Sequence, residues 1–360
     1  MSMINLRDLL QEMIEKGASD LHLTAGLPPM IRVDGDILPT ERPALTPEQV
    51  QSLAYSVLNE EQQKRFEASK ELDFSFGVKG MSRFRGNAYL QRGCVGLAIR
   101  QIPFEIRSFR DLGCPPVIDT LAKKQQGMIL VTGPTGSGKS TTLASIIDKI
   151  NSERKRHIVT IEDPVEYIHQ HKKCIVNQRE VKSDTETFGA ALKHVLRQDP
   201  DVILIGEMRD TETMGAARTI AETGHLTLAT LHTNSTFESI NRIVDAFPPQ
   251  QQSQVRAQLA FVLEGVMCQQ LVPRSRGKGR VMIAEVMICT PAIRAVIRDD
   301  KVHQIYGLMQ AGQKHGMQTM NQALFNGVLS KDISLEEAMR RSHDPTELSN
   351  MLGQPVGATR

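Results

Sequence analysis

The octapeptide Gly133-Pro134-Thr135-Gly136-Ser137-Gly138-Lys139-Ser140 follows the apolar run Met128-Ile129-Leu130-Val131. It leads into Thr141-Thr142-Leu143-Ala144-Ser145-Ile146-Ile147, which predicts a helix. Strand, glycine-rich turn and helix in that order turn the pattern into a phosphate cradle. Glycines let successive backbone N–H groups point into one concavity, and the helix N-terminus adds partial positive charge. Lys139 is the side chain placed to reach β- and γ-phosphates, and Ser140 the hydroxyl placed to hold Mg²⁺. The competing reading, an ordinary glycine-rich turn, does not account for the strand before and the helix after.

A chain of 360 residues is long for one domain and comfortable for two. Its 43 basic and 41 acidic residues nearly cancel, so no global charge draws it to nucleic acid or an anionic membrane. The five cysteines, at 94, 114, 174, 268 and 289, form no C-x-x-C pair, which implies a reducing compartment and no structural zinc. The start, Met1-Ser2-Met3-Ile4-Asn5-Leu6-Arg7, lacks a signal-peptide apolar core, and no apolar run has the length of a membrane span. The expectation is a soluble, cytoplasmic chain.

Residues 4–16 carry apolar positions at helix spacing, with Gly17 as a stop. Short strands are predicted over 20–24, 30–33 and 36–38, the last two joined through Asp34-Gly35. Residues 47–70 read as one or two helices, and 72–78, 82–91 and 95–102 as further strands. This mixture predicts a small α+β domain over residues 1–100. In the strand 82–91, alternation puts Arg83 and Arg85 on one face and Phe84 and Ala88 on the other. Arg100 ends the next strand. Guanidiniums gathered on one face need carboxylates or an anion between them, so the cluster is either a solvated face with acidic partners or a phosphate contact. Pro103, Gly113 and Pro115-Pro116 punctuate an aperiodic stretch that reads as a linker over 101–117.

Beyond the phosphate loop, apolar strands alternate with helices. The strand 157–161 closes on Glu162-Asp163-Pro164, 202–205 on Gly206-Glu207, and 227–231 on His232, with helices predicted over 185–197 and 210–222. Continuous apolar strands between helices indicate a mainly parallel sheet covered on both faces, whose strand C-termini share one ligand-binding edge. The loop, Glu162-Asp163, Glu207 and His232 therefore converge on the nucleotide. Glu207 suits metal-water coordination or activation of the attacking water; Glu162 and Glu166 are candidates for the same shell, and Glu166 equally for a surface charge. Two neighbouring carboxylates repel, so one is expected to stabilise the ion and the other to act as base. His232 is placed to sense the γ-phosphate. His169-Gln170-His171-Lys172-Lys173 has metal-like spacing without acidic partners and reads as a solvated loop.

Four stretches now carry a resemblance: Gly133 to Thr141, residues 161–166 (IEDPVE), residues 201–210 (DVILIGEMRD) and residues 223–233 (TGHLTLATLHT). They resemble, in order, the Walker A, aspartate-box, Walker B and histidine-box elements of the secretion-ATPase superfamily. Ala18-Ser19-Asp20-Leu21-His22-Leu23 and Ala292-Ile293-Arg294-Ala295-Val296-Ile297-Arg298 are similar to its pilus-retraction branch. The resemblance implies a PAS-like N-terminal domain, a RecA-like P-loop domain over 118–360 and a helical portion from about 290. It also implies a hexameric ring that binds ATP and Mg²⁺ between domains, with an inner-membrane pilus platform protein as partner. By the same resemblance Glu207 is the catalytic glutamate, with Glu162 helping. Arg83, Arg85 and Arg100 become phosphate contacts, His225 and His232 histidine-box residues, Asp163 and Glu166 supporting carboxylates, and Arg294 and Arg298 an output surface.

Relatives that assemble pili or drive type II secretion carry an extra N-terminal domain and a four-cysteine zinc insert, and neither is expected here. Three other readings stay open: an accessory retraction ATPase of the same branch, a RecA-like nucleic-acid translocase, and a nucleotide-gated scaffold with negligible turnover. The near-neutral charge and the lack of basic, aromatic-rich stretches weigh against the translocase. The full set of carboxylates weighs against the scaffold.

Overall fold

A computed structural model describes residues 4–33, 35–102 and 105–353, and every count below refers to these. Met1 to Met3, Asp34, Pro103 and the end of the helical portion beyond 353 lie outside the described residues. The chain divides into two compact units: Met1–Glu105 with Glu166–Ile168, and Ile106–Val165 with His169–Arg360.

In the first unit, Asn5 caps α1 (Leu6–Glu15) by accepting from the Arg7 N–H. The helix buries Leu6, Leu9, Leu10 and Met13, a spacing of three and four that makes one apolar stripe. There follow β1 (Asp20–Leu23), β2 (Met30–Val33), β3 (Asp36–Pro39), α2 (Pro47–Tyr55), α3 (Glu60–Ser69), β4 (Glu71–Val78), β5 (Ser82–Gln91) and β6 (Cys94–Ile102). Residues 47–70 form two helices because Asn59 is itself an N-cap, closing a capping box with Gln62. The strands make an antiparallel sheet in the order β3-β2-β1-β6-β5-β4. Ser82, Phe84, Gly86 and Ala88 of β5 face the core, and Arg83, Arg85 and Asn87 the opposite side. Gly86 is required there, since a Cβ would lie 2.4 Å from the Phe74 ring.

The stretch expected as an aperiodic linker is partly regular. Strand β6 runs to Ile102, and Ser108 and Asp111 close a capping box on the short helix α4 (Phe109–Leu112). The second unit continues with α5 (Val117–Ala122), β7 (Gly127–Thr132), α6 (Lys139–Glu153), β8 (His157–Glu162), β9 (Ile175–Glu180), α7 (Phe188–Val195), β10 (Val202–Ile205), α8 (Thr211–Glu222) and β11 (Leu226–Leu231). It ends with α9 (Thr236–Asp245), α10 (Pro249–Val262), β12 (Leu263–Pro273), β13 (Arg280–Ile288), α11 (Pro291–Arg298), α12 (Ile305–Ala311), α13 (Met320–Leu329), α14 (Leu335–Arg341) and α15 (Pro345–Met351). The helix predicted over 185–197 is shorter, because Thr187 caps it and its end tightens into a 3₁₀ turn.

The seven-stranded sheet runs β13-β12-β7-β11-β10-β8-β9. Its pairs are parallel except β12 with β13. Alternation along the strands sorts two cores. Leu130, Val159, Ile161, Ile203 and Ile205 pack with residues of α7 to α12. Ile129, Val131, Ile158, Val202 and Leu204 pack with α5 and with Leu143, Ile146, Ile147 and Ile150 of α6. A third cluster seats Leu324, Ile333, Ala338 and Leu348 of the C-terminal helical region on Val272 and Ile283. Covering both faces leaves the strand ends as the place where polar groups gather.

Candidate functional site

Strands β7, β11, β10 and β8 are parallel neighbours, so their C-termini share one edge. Thr132 pairs with Leu231, and Ile205 with both Ala229 and Ile161. Counting on two residues puts Glu207 level with Leu231, beside His232. Glu162 falls level with Gly206, against whose would-be Cβ its own Cα lies at 3.2 Å. The phosphate loop leaves the same edge from Thr132.

The loop is shaped by its glycines. Gly133 has φ +136°, and a Cβ on it would lie 2.3 Å from the Gln269 carbonyl oxygen. Gly136 has φ +77° with no atom within 4 Å of a would-be Cβ, so this part of the loop opens outward. Gly138, at φ +88°, is the N-cap of α6. Lys139 Nζ donates to the carbonyls of Gly133 at 2.9 Å and Pro134 at 3.0 Å. Burial pulls the Lys139 ammonium below its ordinary range, against the opposing pull of the Glu207 carboxylate. Pro134, Thr135 and Ser140 are exposed, Thr141 is half-buried and Ser137 is buried.

The two carboxylates have separate partners. Glu207 Oε2 is 2.8 Å from Arg209 Nη2, and its Oε1 is 3.2 Å from His232 Nε2. Burial raises the Glu207 pKa, but the bonds and charges of Arg209 and His232 outweigh it and hold the carboxyl below its ordinary range. Glu162 is buried at the end of β8, where its Oε1 accepts from Thr160 Oγ1 at 2.6 Å and from Gln178 Nε2 at 3.3 Å. Gln178 also accepts from the His169 backbone N–H at 2.8 Å. The bond and charge of Glu207 raise the Arg209 pKa, and the exposed Asp163 adds to this through its charge.

Other candidates take different places. His225 precedes β11, bonded through Nδ1 with Thr223 and Ile220, while His232 follows it. The two histidine-box residues therefore lie apart: seven residues at about 3.3 Å each put His225 at the opposite edge of the sheet from His232. Arg294 is not displayed outward. It donates to the carbonyls of Ala260 and Phe261 at 2.7 Å each and to Glu264 at 2.6 Å, closing the end of α10, whereas Arg298 is exposed and paired with Asp299. His169 is 7% exposed rather than solvated, and burial lowers its pKa to about 4.

In the first unit, Arg83 Nη2 donates to Ser75 Oγ at 2.7 Å, and Arg85 Nη1 lies 3.7 Å from Glu166 Oε1. Arg85 stands directly across from Arg100, which bonds Asp20 at 2.8 Å. Among the described residues no group of three or more His, Cys, Asp or Glu side chains is arranged to hold a metal. No helix among them is long and apolar enough to cross a membrane.

An open, glycine-shaped loop between β7 and α6, with two separately held carboxylates on the adjoining strand ends, defines an ATPase of the P-loop class on a RecA-like sheet. The family model described as "Type II/IV secretion system protein" matches residues 2–340, and the chain belongs to this family. It is 48% identical over 342 residues to the "Type IV pilus retractation ATPase PilT" of Pseudomonas aeruginosa, covering 95% of this chain and 99% of that one. It is 43% identical over 344 residues to the "Type IV pilus ATPase PilU" of the same organism, covering 96% and 90%. The crystal structure of the pilus retraction motor PilT with bound ADP superposes with a TM-score of 0.92 at 51% identity, covering 96% and 99%.

Proposed function

We propose that this ATPase is a motor that retracts type IV pili, working as a hexameric ring in the cytoplasm against an inner-membrane platform protein. The observation that carries the reading is the convergence of the phosphate loop, Glu162, Glu207 and His232 on one sheet edge. Near-full-length likeness to PilT supports the choice of output.

In this mechanism Gly133 to Thr141 hold ATP: backbone amides and the α6 N-terminus bind the phosphates, and Lys139 leaves the loop carbonyls to reach them. Mg²⁺ fits the donors present, with the exposed Ser140 hydroxyl beside the loop and Glu162 and Glu207 beyond it, and when bound it would neutralise phosphate charge. Glu207 orients the attacking water and takes its proton, while Arg209 and His232 hold the carboxylate ionised. Glu162, fixed by Thr160 and Gln178, polarises that water, and Asp163 and Glu166 set the charge of the neighbouring loop. Arg83 and Arg85 supply guanidinium charge to the phosphates, and Arg100 joins them when its pair with Asp20 opens. His225 acts at the far edge of the sheet, and the exposed Arg298 belongs to the output surface. ATP and ADP differ in the contacts they offer, and that difference shifts the population of conformations that performs work.

A mixing experiment tests the arginine and ring assignments together. Glu207→Gln chains lack the base and Arg83→Ala/Arg85→Ala chains lack the guanidiniums, so each alone is expected to hydrolyse ATP slowly. Mixed, they are expected to regain part of the wild-type rate, because one copy's arginines serve another's carboxylate. Full activity of the arginine variant by itself contradicts the assignment.

A further inference from the structure

The phosphate loop is held from behind by a residue outside every motif named above. Gln269 of β12 is fully buried, next in line after Cys268, which pairs with Thr132 at the end of β7. Its Nε2 donates to the Ser137 carbonyl at 2.7 Å, and its Oε1 accepts from Thr142 Oγ1 at 3.0 Å. Its own backbone carbonyl occupies the space that a Cβ on Gly133 would need, at 2.3 Å. A Cβ on Gly138 would meet Gln269 Nε2 at 3.2 Å. One residue thus touches the loop at its start, at Ser137, and at its junction with α6.

We propose that Gln269 is a positioning residue that presets the phosphate loop for nucleotide, acting through Ser137 and Thr142; this rests on the reading of Gly133 to Thr141 as the nucleotide site. The carboxamide is suited to the task. Turning the Ser137 carbonyl inward onto Nε2 leaves the neighbouring amides aimed at the concavity, which is the condition for a backbone anion site. Accepting from Thr142 fixes the same carboxamide to the first turn of α6, so the loop and the helix N-terminus move as one body. Both bonds are buried, where losing one partner strands the other without water to replace it. A preset loop spends less of its binding free energy on ordering. Without Gln269 the amides are present but not held, so affinity falls before the chemistry does.

The test is ADP binding by calorimetry on the purified full chain, with Mg-ATP turnover and nucleotide-free unfolding measured in parallel. Gln269→Met keeps the length and removes both bonds; the expected result is an ADP Kd raised about tenfold, the ratio that roughly 1.4 kcal/mol produces. KM should rise more than kcat falls. Thr142→Val should weaken ADP in the same direction, and the double variant should bind no more than about twofold more weakly than Gln269→Met, since the two residues share one bond. Thr142→Ser, which keeps the hydroxyl, should bind ADP more tightly than Thr142→Val. A merely structural role would lower the nucleotide-free unfolding midpoint and leave ADP affinity within twofold of wild type, and that result overturns the proposal. If Gln269→Met does not fold, a folded Thr142→Val with wild-type affinity overturns it equally. Lys139→Ala separates the two levels: unchanged ADP binding there sinks the nucleotide site itself, while lost binding there with wild-type binding in Gln269→Met sinks only this inference.

Discussion

His232 Nε2 stands 3.2 Å from Glu207 Oε1, so the residue that closes β11 touches the carboxylate that follows β10. That contact joins two adjacent strand ends and, with Arg209 on the other oxygen, keeps the carboxyl below its ordinary range. Removing either partner removes a force that lowers the Glu207 pKa. The acid limb of the pH–turnover profile is therefore expected to move to higher pH in His232→Ala and further in Arg209→Ala, whose bond is the stronger contribution. An acid limb that stays in place in both variants contradicts the assignment of Glu207 as the base.

The same shift bears on stability. A carboxyl whose folded pKa lies below its unfolded value contributes stability that is fully present above the unfolded value and is lost as pH falls through the folded one. Glu207→Gln lacks this contribution, so its unfolding free energy should lie closest to that of wild type in strong acid and separate as pH rises. Urea unfolding across that range measures it.

Asp20 lies between Arg100, at 2.8 Å, and Arg32, at 3.7 Å. Burial raises its pKa, but the bonds from Ser19 and Arg100 outweigh this and hold it low. Asp20→Asn leaves Arg100 of β6 and Arg32 of β2, on the two strands that flank β1, without the anion between them. The expected loss near neutral pH is about 1 kcal/mol, since Arg100 is largely exposed, and it should vanish in acid below the Asp20 pKa. Paired urea titrations near neutrality and in strong acid check this.

Gln178 ties Glu162 to the backbone of His169. Gln178→Leu keeps the bulk and cuts both bonds. Turnover should fall about tenfold, the cost of roughly 1.4 kcal/mol in the barrier, with ADP affinity unchanged because the phosphate loop is untouched. Single-turnover kinetics with parallel ADP titrations separate the two effects.

Arg294 closes the end of α10 through two carbonyls and Glu264. Arg294→Ala should destabilise the chain by about 2 kcal/mol, because hydrogen bonds to a charged group are worth about 1.5–3 kcal/mol. Arg298→Ala, at an exposed site, should cost less than about 0.5 kcal/mol. Thermal unfolding of both variants decides whether Arg294 is a structural tie.

The sequence made the nucleotide edge legible because its strands are continuous apolar runs that stop at polar residues. Val202 to Ile205 ends at Gly206-Glu207, and Leu226 to Leu231 at His232, so the last buried position marks the sheet edge directly. Strand β9 was hidden because Ile175 and Asn177 are exposed and the segment reads as a polar loop. Gln178, which holds Glu162, was hidden with it. Gln269 and Gln270 interrupt the apolar run 266–272, and this pair of buried amides is the one signal that points to the position. The place of Arg294 depends on partners some thirty residues away, which local periodicity does not encode, whereas His225 and His232 bracket one strand and their spacing by itself sets them at opposite edges.

Hydrolysis of ATP at the shared strand edge, by the chain assembled with its own copies as proposed above, is open to a direct measurement. Phosphate release from Mg-ATP across a protein concentration series, for wild type and Glu207→Gln and with DNA added in one arm, tests it most directly. The expected result is turnover that rises steeply with concentration, falls at least about 100-fold in the variant and ignores DNA. Turnover that is absent throughout, unchanged by Glu207→Gln, or dependent on DNA contradicts it.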